Sequence, residues 1–205
     1  MFTAHTLLLS IGCAVVFPAV CVVHQQQKTL HQQQQSACVC TTVKCPAEGK
    51  NVIVMGSGGA ELTYVYTTHN ASLPPVVVSA SGYILPSSLN KGTDTTACTR
   101  AYSRLLDDDA ADPLCDAGHI LANHLGGYGN IPTNIFPQNA SVNRGVYAQF
   151  ERKISDCMAS ASRADLEWAF LYKDTTKTMP YEVNYTAVFT DGGDGCTVLS
   201  SLFPN

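Results

Sequence analysis

Between Asn139 and Met158 the apolar residues Val142, Val146, Tyr147, Phe150, Ile154 and Cys157 recur at spacings of three and four. A stripe of that period lies on one side of an α-helix and on neither face of a strand, so this segment is predicted as the clearest helix of the chain. Asn139 or Ser141 is the predicted N-cap. The surrounding segments read as strands. "NVIVMGSGGAELTYVYTTH" is two strands around a Gly turn, with β-branched Val52, Ile53 and Val54 and an alternating second half. "PPVVVSASGYILP" is another strand, ended by Pro86. "LEWAFLY" and "YEVNYTAVF" are strands joined by the polar loop Lys173 to Met179, and "DGGDG" precedes a last short one. Arg100 to Leu106 is predicted as a short helix before the acidic turn Asp107 to Asp112. Few helices among many strands give an α+β domain built mostly on an antiparallel sheet.

The start of the chain reads differently. Thr6 to Val23 is an uncharged apolar run, and residues 1–23 are expected to be a secretory signal peptide; a retained signal anchor is the alternative. "HQQQKTLHQQQQ" follows, and residues 24–37 are expected to be a polar, disordered spacer. One domain, 38–205, remains. Of nine Cys, Cys13 falls in the leader, and cleavage before or after Cys21 leaves eight or seven. The sequons at Asn70, Asn139 and Asn184 agree with a secreted, extracellular glycoprotein. No membrane contact is expected of the mature chain, and neither disulfide pairing nor oligomeric state is legible.

A net charge of −4 supplies no global field for a polyanion, so any phosphate binding has to be local. The run Gly56, Ser57, Gly58 and Gly59 lacks the spacing of a dinucleotide or phosphate loop and reads as a hairpin turn. Cys115, His119 and His124 supply three of the four ligands a zinc site needs, and no fourth is apparent. His124 reads as a polar loop residue, and Trp168 as core.

The polar residues of "CDAGHILANHLGGYGNIPTNIFPQNASVNRGVYAQFE" are harder to assign to packing. A strand ending in "CDAGH" presents His119 at its tip. A Gly-rich turn and the extended piece "TNIFPQ" follow, and the helix then carries Asn143 and Glu151 on one face. A His set opposite an Asn and a carboxylate suits metal-assisted hydrolysis: neutral imidazole takes a proton from water while a hard cation on oxygen ligands offsets phosphate charge.

This stretch resembles the DNA/RNA non-specific endonucleases, the ββα-metal nucleases. Asp116, Gly118 and His119 match their Asp-Arg-Gly-His; Asn134, Pro137 and Gln138 match Asn-x-x-Pro-Gln; Asn143 and Glu151 match the helix. The "LGG" of Leu125 to Gly127 occurs in the branch that includes secreted toxins. The resemblance implies a ββα-metal motif carrying the site, His119 as general base, and Asn143 as the one direct protein ligand of Mg2+, with Mn2+ as a substitute. It implies that Glu151 holds a metal-bound water and that Asn134 orients His119 or a phosphate. DNA and RNA are the implied substrates. One departure stands out: the Arg of the motif is Ala117 here. Arg100, Arg104 and Arg144 are the candidates to supply that charge. If none does, the alternative is a secreted binding or toxin-like protein that keeps the fold without activity.

Overall fold

The computed structural model describes residues 44–69, 73–108 and 115–205. The expected leader and spacer, Cys38, Cys40, the sequon at Asn70 and the turn from Asp109 to Asp112 lie outside the described residues. The strands are β1 (Gly49–Met55), β2 (Ala60–Thr67), β3 (Val76–Ile84), β4 (Cys115–His119), β5 (Ile135–Asn139), β6 (Arg163–Leu171), β7 (Glu182–Thr190) and β8 (Val198–Pro204). Six of them form one sheet in the order β1-β2-β3-β6-β7-β8, and β4 pairs with β5 alone. Every strand pair is antiparallel. The expected α+β class is what the chain adopts.

Alternation buries one face of the large sheet. Leu62, Tyr64 and Tyr66 of β2 and Leu166, Trp168 and Phe170 of β6 all point into it. Trp168 is core, as expected: its indole stacks on Tyr185 at 4.3 Å and donates to the Tyr147 hydroxyl at 3.1 Å.

The strands β3 and β6 are sheet neighbours but not sequence neighbours. Between them the chain makes an excursion through α1 (Ala97–Leu106), the β4–β5 hairpin, α2 (Ala140–Val142) and α3 (Ala148–Cys157). Helix α1 starts at Ala97 rather than Arg100, because Thr96 and Thr99 form a reciprocal cap at its N-terminus. Asn139 caps α2, its Oδ1 accepting from Ser141 N–H at 3.0 Å and Val142 N–H at 3.3 Å.

The predicted single helix is broken. A wide π-type turn, Asn143–Tyr147, separates α2 from α3, and Gly145 departs from helical geometry within it. A π turn carries one residue more than an α turn and shifts everything after it around the axis. Tyr147, Phe150, Ile154 and Cys157 still face the core, but Val146 is turned out and 54% exposed. Its place in the apolar stripe is therefore corrected.

A Cys157–Cys196 disulfide ties the end of α3 to the loop before β8. Cys45 and Cys98 are also disulfide-bonded, and Cys115 is a free thiol. Among the described residues, no helix is long and apolar enough to cross a membrane.

Candidate active site

The large sheet reaches the hairpin through hydroxyls. Tyr64 donates to Asn134 Oδ1 at 2.7 Å, and Tyr66 donates to the Thr133 carbonyl at 3.0 Å. Asn134 is fully buried. Its Oδ1 also accepts from Leu121 N–H at 2.9 Å, and its Nδ2 donates to Leu121 O at 2.9 Å and Tyr128 O at 3.4 Å. Its backbone carbonyl accepts from Ile120 N–H at 2.8 Å. The expected role is thereby corrected: Asn134 touches neither His119 nor the cleft. It spends its side chain pinning the chain just after His119 to the sheet.

Within the hairpin, Asp116 lies opposite Gln138, and Gly118 opposite Phe136. A Cβ on Gly118 would stand 2.2 Å from Gln138 Oε1, so the glycine of the motif makes room for the glutamine. His119 ends β4, as expected. Its Nε2 lies 3.1 Å from the Thr93 carbonyl. A carbonyl only accepts, so Nε2 carries the proton and Nδ1 is left as the basic nitrogen. Burial lowers the pKa of His119 from its ordinary 6.5; the Thr93 carbonyl and Asp94 work against that, and His124 adds to it. Burial favours the neutral imidazole, and the Thr93 bond fixes its tautomer.

Asp116 meets the helix. It accepts from Asn143 Nδ2 at 2.9 Å and from Arg144 through a fork of 2.8 and 2.6 Å. Burial works to raise the Asp116 pKa, but the bonds from Arg144 and Asn143 and the Arg144 charge outweigh it, so the carboxyl is held below its ordinary range. An ionised carboxylate is acceptor-only, so it fixes the Asn143 amide with nitrogen inward. The Asn143 oxygen is then free to face elsewhere.

His119, His124, Asn143, Arg144, Glu151 and Arg152 line one cleft of about 460 Å³. Glu151 is only 7% exposed and has no hydrogen-bond or ion-pair partner among the described residues. Burial pushes its carboxyl well above the ordinary range, with Arg152 acting the other way. A buried carboxylate without a partner, in the cleft that Asn143 also lines, is a costly arrangement unless a cation joins it. The donors are hard oxygens and few, which suits an ion that keeps most of its waters, such as Mg2+. Among the described residues no three His, Cys, Asp or Glu converge as a metal cage. Cys115 opens onto a separate hollow with Lys173, Lys177 and Asn205, which breaks up the zinc trio.

Of the arginines considered, Arg144 alone lines the cleft. Arg100 and Arg104 are four apart on the exposed face of α1, and Arg100 bonds the Thr95 carbonyl at 3.0 Å. Neither is among the residues lining the His119 cleft. Ala117 packs on the small cluster of Val76, Tyr102, Leu106 and Ile135. Asn139 lines the hollow of Cys115 rather than the His119 cleft, and Asn184 is exposed in mid-β7.

Two contributors were not legible in the sequence. Thr93 acts through its backbone carbonyl, for which no side-chain pattern exists. Gly129 packs behind His119: a Cβ there would lie 2.4 Å from Nε2. The Thr93 carbonyl also accepts from Gly129 N–H at 2.9 Å, and Thr99 Oγ1 donates to Gly129 O at 2.7 Å. The imidazole is thus held from α1.

The profile of the DNA/RNA non-specific endonuclease family matches residues 64–187. Over 147 residues, 64% of this chain, the sequence is 34% identical to the probable deoxyribonuclease RhsA of Dickeya dadantii (strain 3937). The match spans 10% of that relative's length. The fold is similar to that in the crystal structure of the EndoG/EndoGI complex, with a TM-score of 0.50 at 13% identity, over 79% of this chain and 76% of the other. A metal-free NucA from Streptococcus agalactiae aligns with a TM-score of 0.47 at 14% identity, over 85% of this chain and 88% of that one.

Proposed function

Because the chain belongs to the DNA/RNA non-specific endonuclease family, we propose that it is a metal-dependent, sugar-non-specific endonuclease that hydrolyses phosphodiester bonds in DNA and RNA. One observation carries this reading: His119, Asn143, Glu151 and Arg144 face a single cleft. Nδ1 of His119 takes the proton from a water that attacks phosphorus, while the Thr93 carbonyl holds Nε2–H and keeps the ring in place. The oxygen of Asn143 and the carboxylate of Glu151, the latter through water, are the groups that would hold Mg2+, or Mn2+ in its stead. When bound, the ion supplies positive charge against the charge growing on the phosphate oxygens. Asp116 keeps Asn143 and Arg144 in register on the helix. The guanidinium groups of Arg144 and Arg152 present cations to a phosphate. Family analogy implies 5′-phosphate products.

The fold-without-activity reading rested on Ala117 and on the acidic net charge of −4. Arg144 and Arg152 weaken it, since the cleft has cations without the motif arginine. The leader, the cysteines and the three sequons support secretion and glycosylation at Asn70, Asn139 and Asn184. Incubation of purified protein with plasmid and with RNA, in Mg2+ or in chelator, tests the proposal. Cleavage of both in Mg2+ and of neither in chelator is expected; undiminished cleavage in chelator refutes the metal's role.

A further inference from the structure

Strand β5 is braced at both ends. At its start, Tyr64 and Tyr66 hold Asn134 and Thr133 from the large sheet. At its end the brace is Asn205, the residue after β8. Asn139 N–H donates to Asn205 Oδ1 at 2.8 Å. Asn205 Nδ2 donates to Pro137 O at 3.0 Å and to Pro180 O at 2.9 Å. Its backbone N–H donates to Tyr181 O at 2.9 Å, and Tyr181 N–H donates in turn to Leu171 O at 2.8 Å.

The place calls for an amide. Backbone groups two residues apart on a strand open on the same edge, so the Pro137 carbonyl and the Asn139 N–H face one side of β5. One needs a donor and the other an acceptor. A primary amide offers an acceptor and two donors from one planar group. Asn205 uses its oxygen on Asn139 and its nitrogen on Pro137 and Pro180. A carboxylate of the same shape could not donate, and an aliphatic side chain could do neither.

What Asn205 holds lies beside the groups that would bind the metal. Asn139 caps α2, and Asn143 follows directly on α2. Gln138, between the two bonded residues, pairs with Asp116, and Asp116 accepts from Asn143 Nδ2 at 2.9 Å. The backbone leading to Asn143 and the anchor of its side chain therefore both depend on where the end of β5 sits. On the far side of Asn143 the chain enters the π turn, with Gly145 out of helical geometry, so no unbroken α-helix holds Asn143 from behind.

We infer that Asn205 is a positioning residue of the active site, its side-chain amide fixing the end of β5 so that Asn143 is presented to the metal ion. The inference rests on the metal-dependent nuclease reading above. Asn205 lines the hollow of Cys115 and not the His119 cleft, so it acts only through the hairpin it holds.

The test uses the full chain and three variants. Asn205→Ala removes the bonds of the side chain. Asn205→Gln keeps the amide but moves it out by one methylene. Asn205 is half-buried, so water can reach the groups that either change releases. Val183→Ala, a core truncation on β7, supplies a destabilised control. The Mg2+ concentration for half-maximal cleavage of an oligonucleotide should rise about tenfold in Asn205→Ala, the low end of the loss usual when a group that orients a metal ligand is removed. Saturating Mg2+ should recover most of kcat, and KM for the oligonucleotide should hold. Asn205→Gln should shift the Mg2+ requirement in the same direction. Val183→Ala should melt lower and keep the wild-type Mg2+ requirement, which separates positioning from stability. In metal-free protein, amide hydrogen exchange at Ser141 and Val142 should quicken in Asn205→Ala. A Mg2+ requirement within about twofold of wild type in both Asn205 variants overturns the inference alone. So does an equal shift in Val183→Ala, or unchanged exchange at Ser141 and Val142. Undiminished cleavage by wild type in chelator overturns the metal-dependent reading and this inference with it, and wild type alone tells the two failures apart.

Discussion

Replacing Gly129 with alanine should disable His119 without touching it in sequence. The added Cβ would lie 2.4 Å from His119 Nε2, 2.6 Å from the Asp94 carbonyl carbon and 2.7 Å from Thr93 O. Ordinary contact begins at 3.4 Å. Two of the three obstacles are backbone, and that backbone is pinned: Thr93 N–H donates to Gly127 O at 3.0 Å, and Gly129 N–H to Thr93 O at 2.9 Å. The ring is the softer party and must retreat by about 1 Å, which breaks the 3.1 Å bond to Thr93. A displacement of that size at a reacting group costs on the order of 10²-fold in rate. Crowding of this kind also destabilises by roughly 1–3 kcal/mol, or a few degrees of melting temperature in a chain of this length. Gly129 does not occupy the left-handed region, so the effect is steric and not conformational. The assay is kcat and KM on a short duplex with Mg2+, at a temperature where the circular dichroism matches wild type. The account expects kcat to fall and KM to hold. A fully folded Gly129→Ala protein within about threefold of wild-type kcat would show that the Thr93–His119 contact is not what places the base.

Asn134→Ala should act on stability first. It strands Tyr64 Oη and the Leu121 backbone groups in the interior, so thermal melts should show a loss of several kcal/mol, at about 1–3 per orphaned group; an unchanged melt would refute its bracing role. Asn143→Ala should weaken the Mg2+ titration of activity with little change in melting, and an unaltered titration would refute the ligand assignment. Glu151→Gln should raise the metal-free melting temperature, because a buried carboxylate without a partner is removed, and should abolish stabilisation by Mg2+; a lower metal-free melting temperature would contradict this. Because burial lowers the His119 pKa, the acid limb of kcat/KM should fall below the ordinary 6.5. The sign for stability follows: the unfolded chain takes up the proton at 6.5 before the folded one does. The contribution of His119 is therefore complete above 6.5 and lost as pH falls through the folded pKa. A limb above 6.5 would refute the burial argument.

What the sequence revealed was what is local in it. His119, Asn143, Arg144 and Glu151 sit within one hairpin and the helix after it, so spacing alone could place them in one cleft. Strand and helix periods separated the sheet from the excursion that carries the site. The misses have physical causes. Val146 was placed in the core because a straight helix was assumed, and the π turn at Asn143–Tyr147 rotates it out. Arg100 and Arg104 are exposed but lie outside the His119 cleft, a placement that spacing along the chain does not reveal. Asn134 matched its motif, yet its partners are Tyr64, Leu121 and Tyr128. Thr93 and Gly129 come from segments outside the matched stretch or from its glycine loop, and act through backbone and through the absence of a side chain. Cys157 and Cys196 meet only because the sheet and helix bring them together.

The most direct test of the central claim is single-turnover cleavage of a 5′-labelled oligonucleotide by wild-type protein and His119→Ala, each in Mg2+ and then in chelator. The account predicts cleavage by wild type in Mg2+ only, with His119→Ala slower by about 10²–10⁴-fold while its circular dichroism is unchanged. Cleavage by folded His119→Ala at the wild-type rate would contradict it.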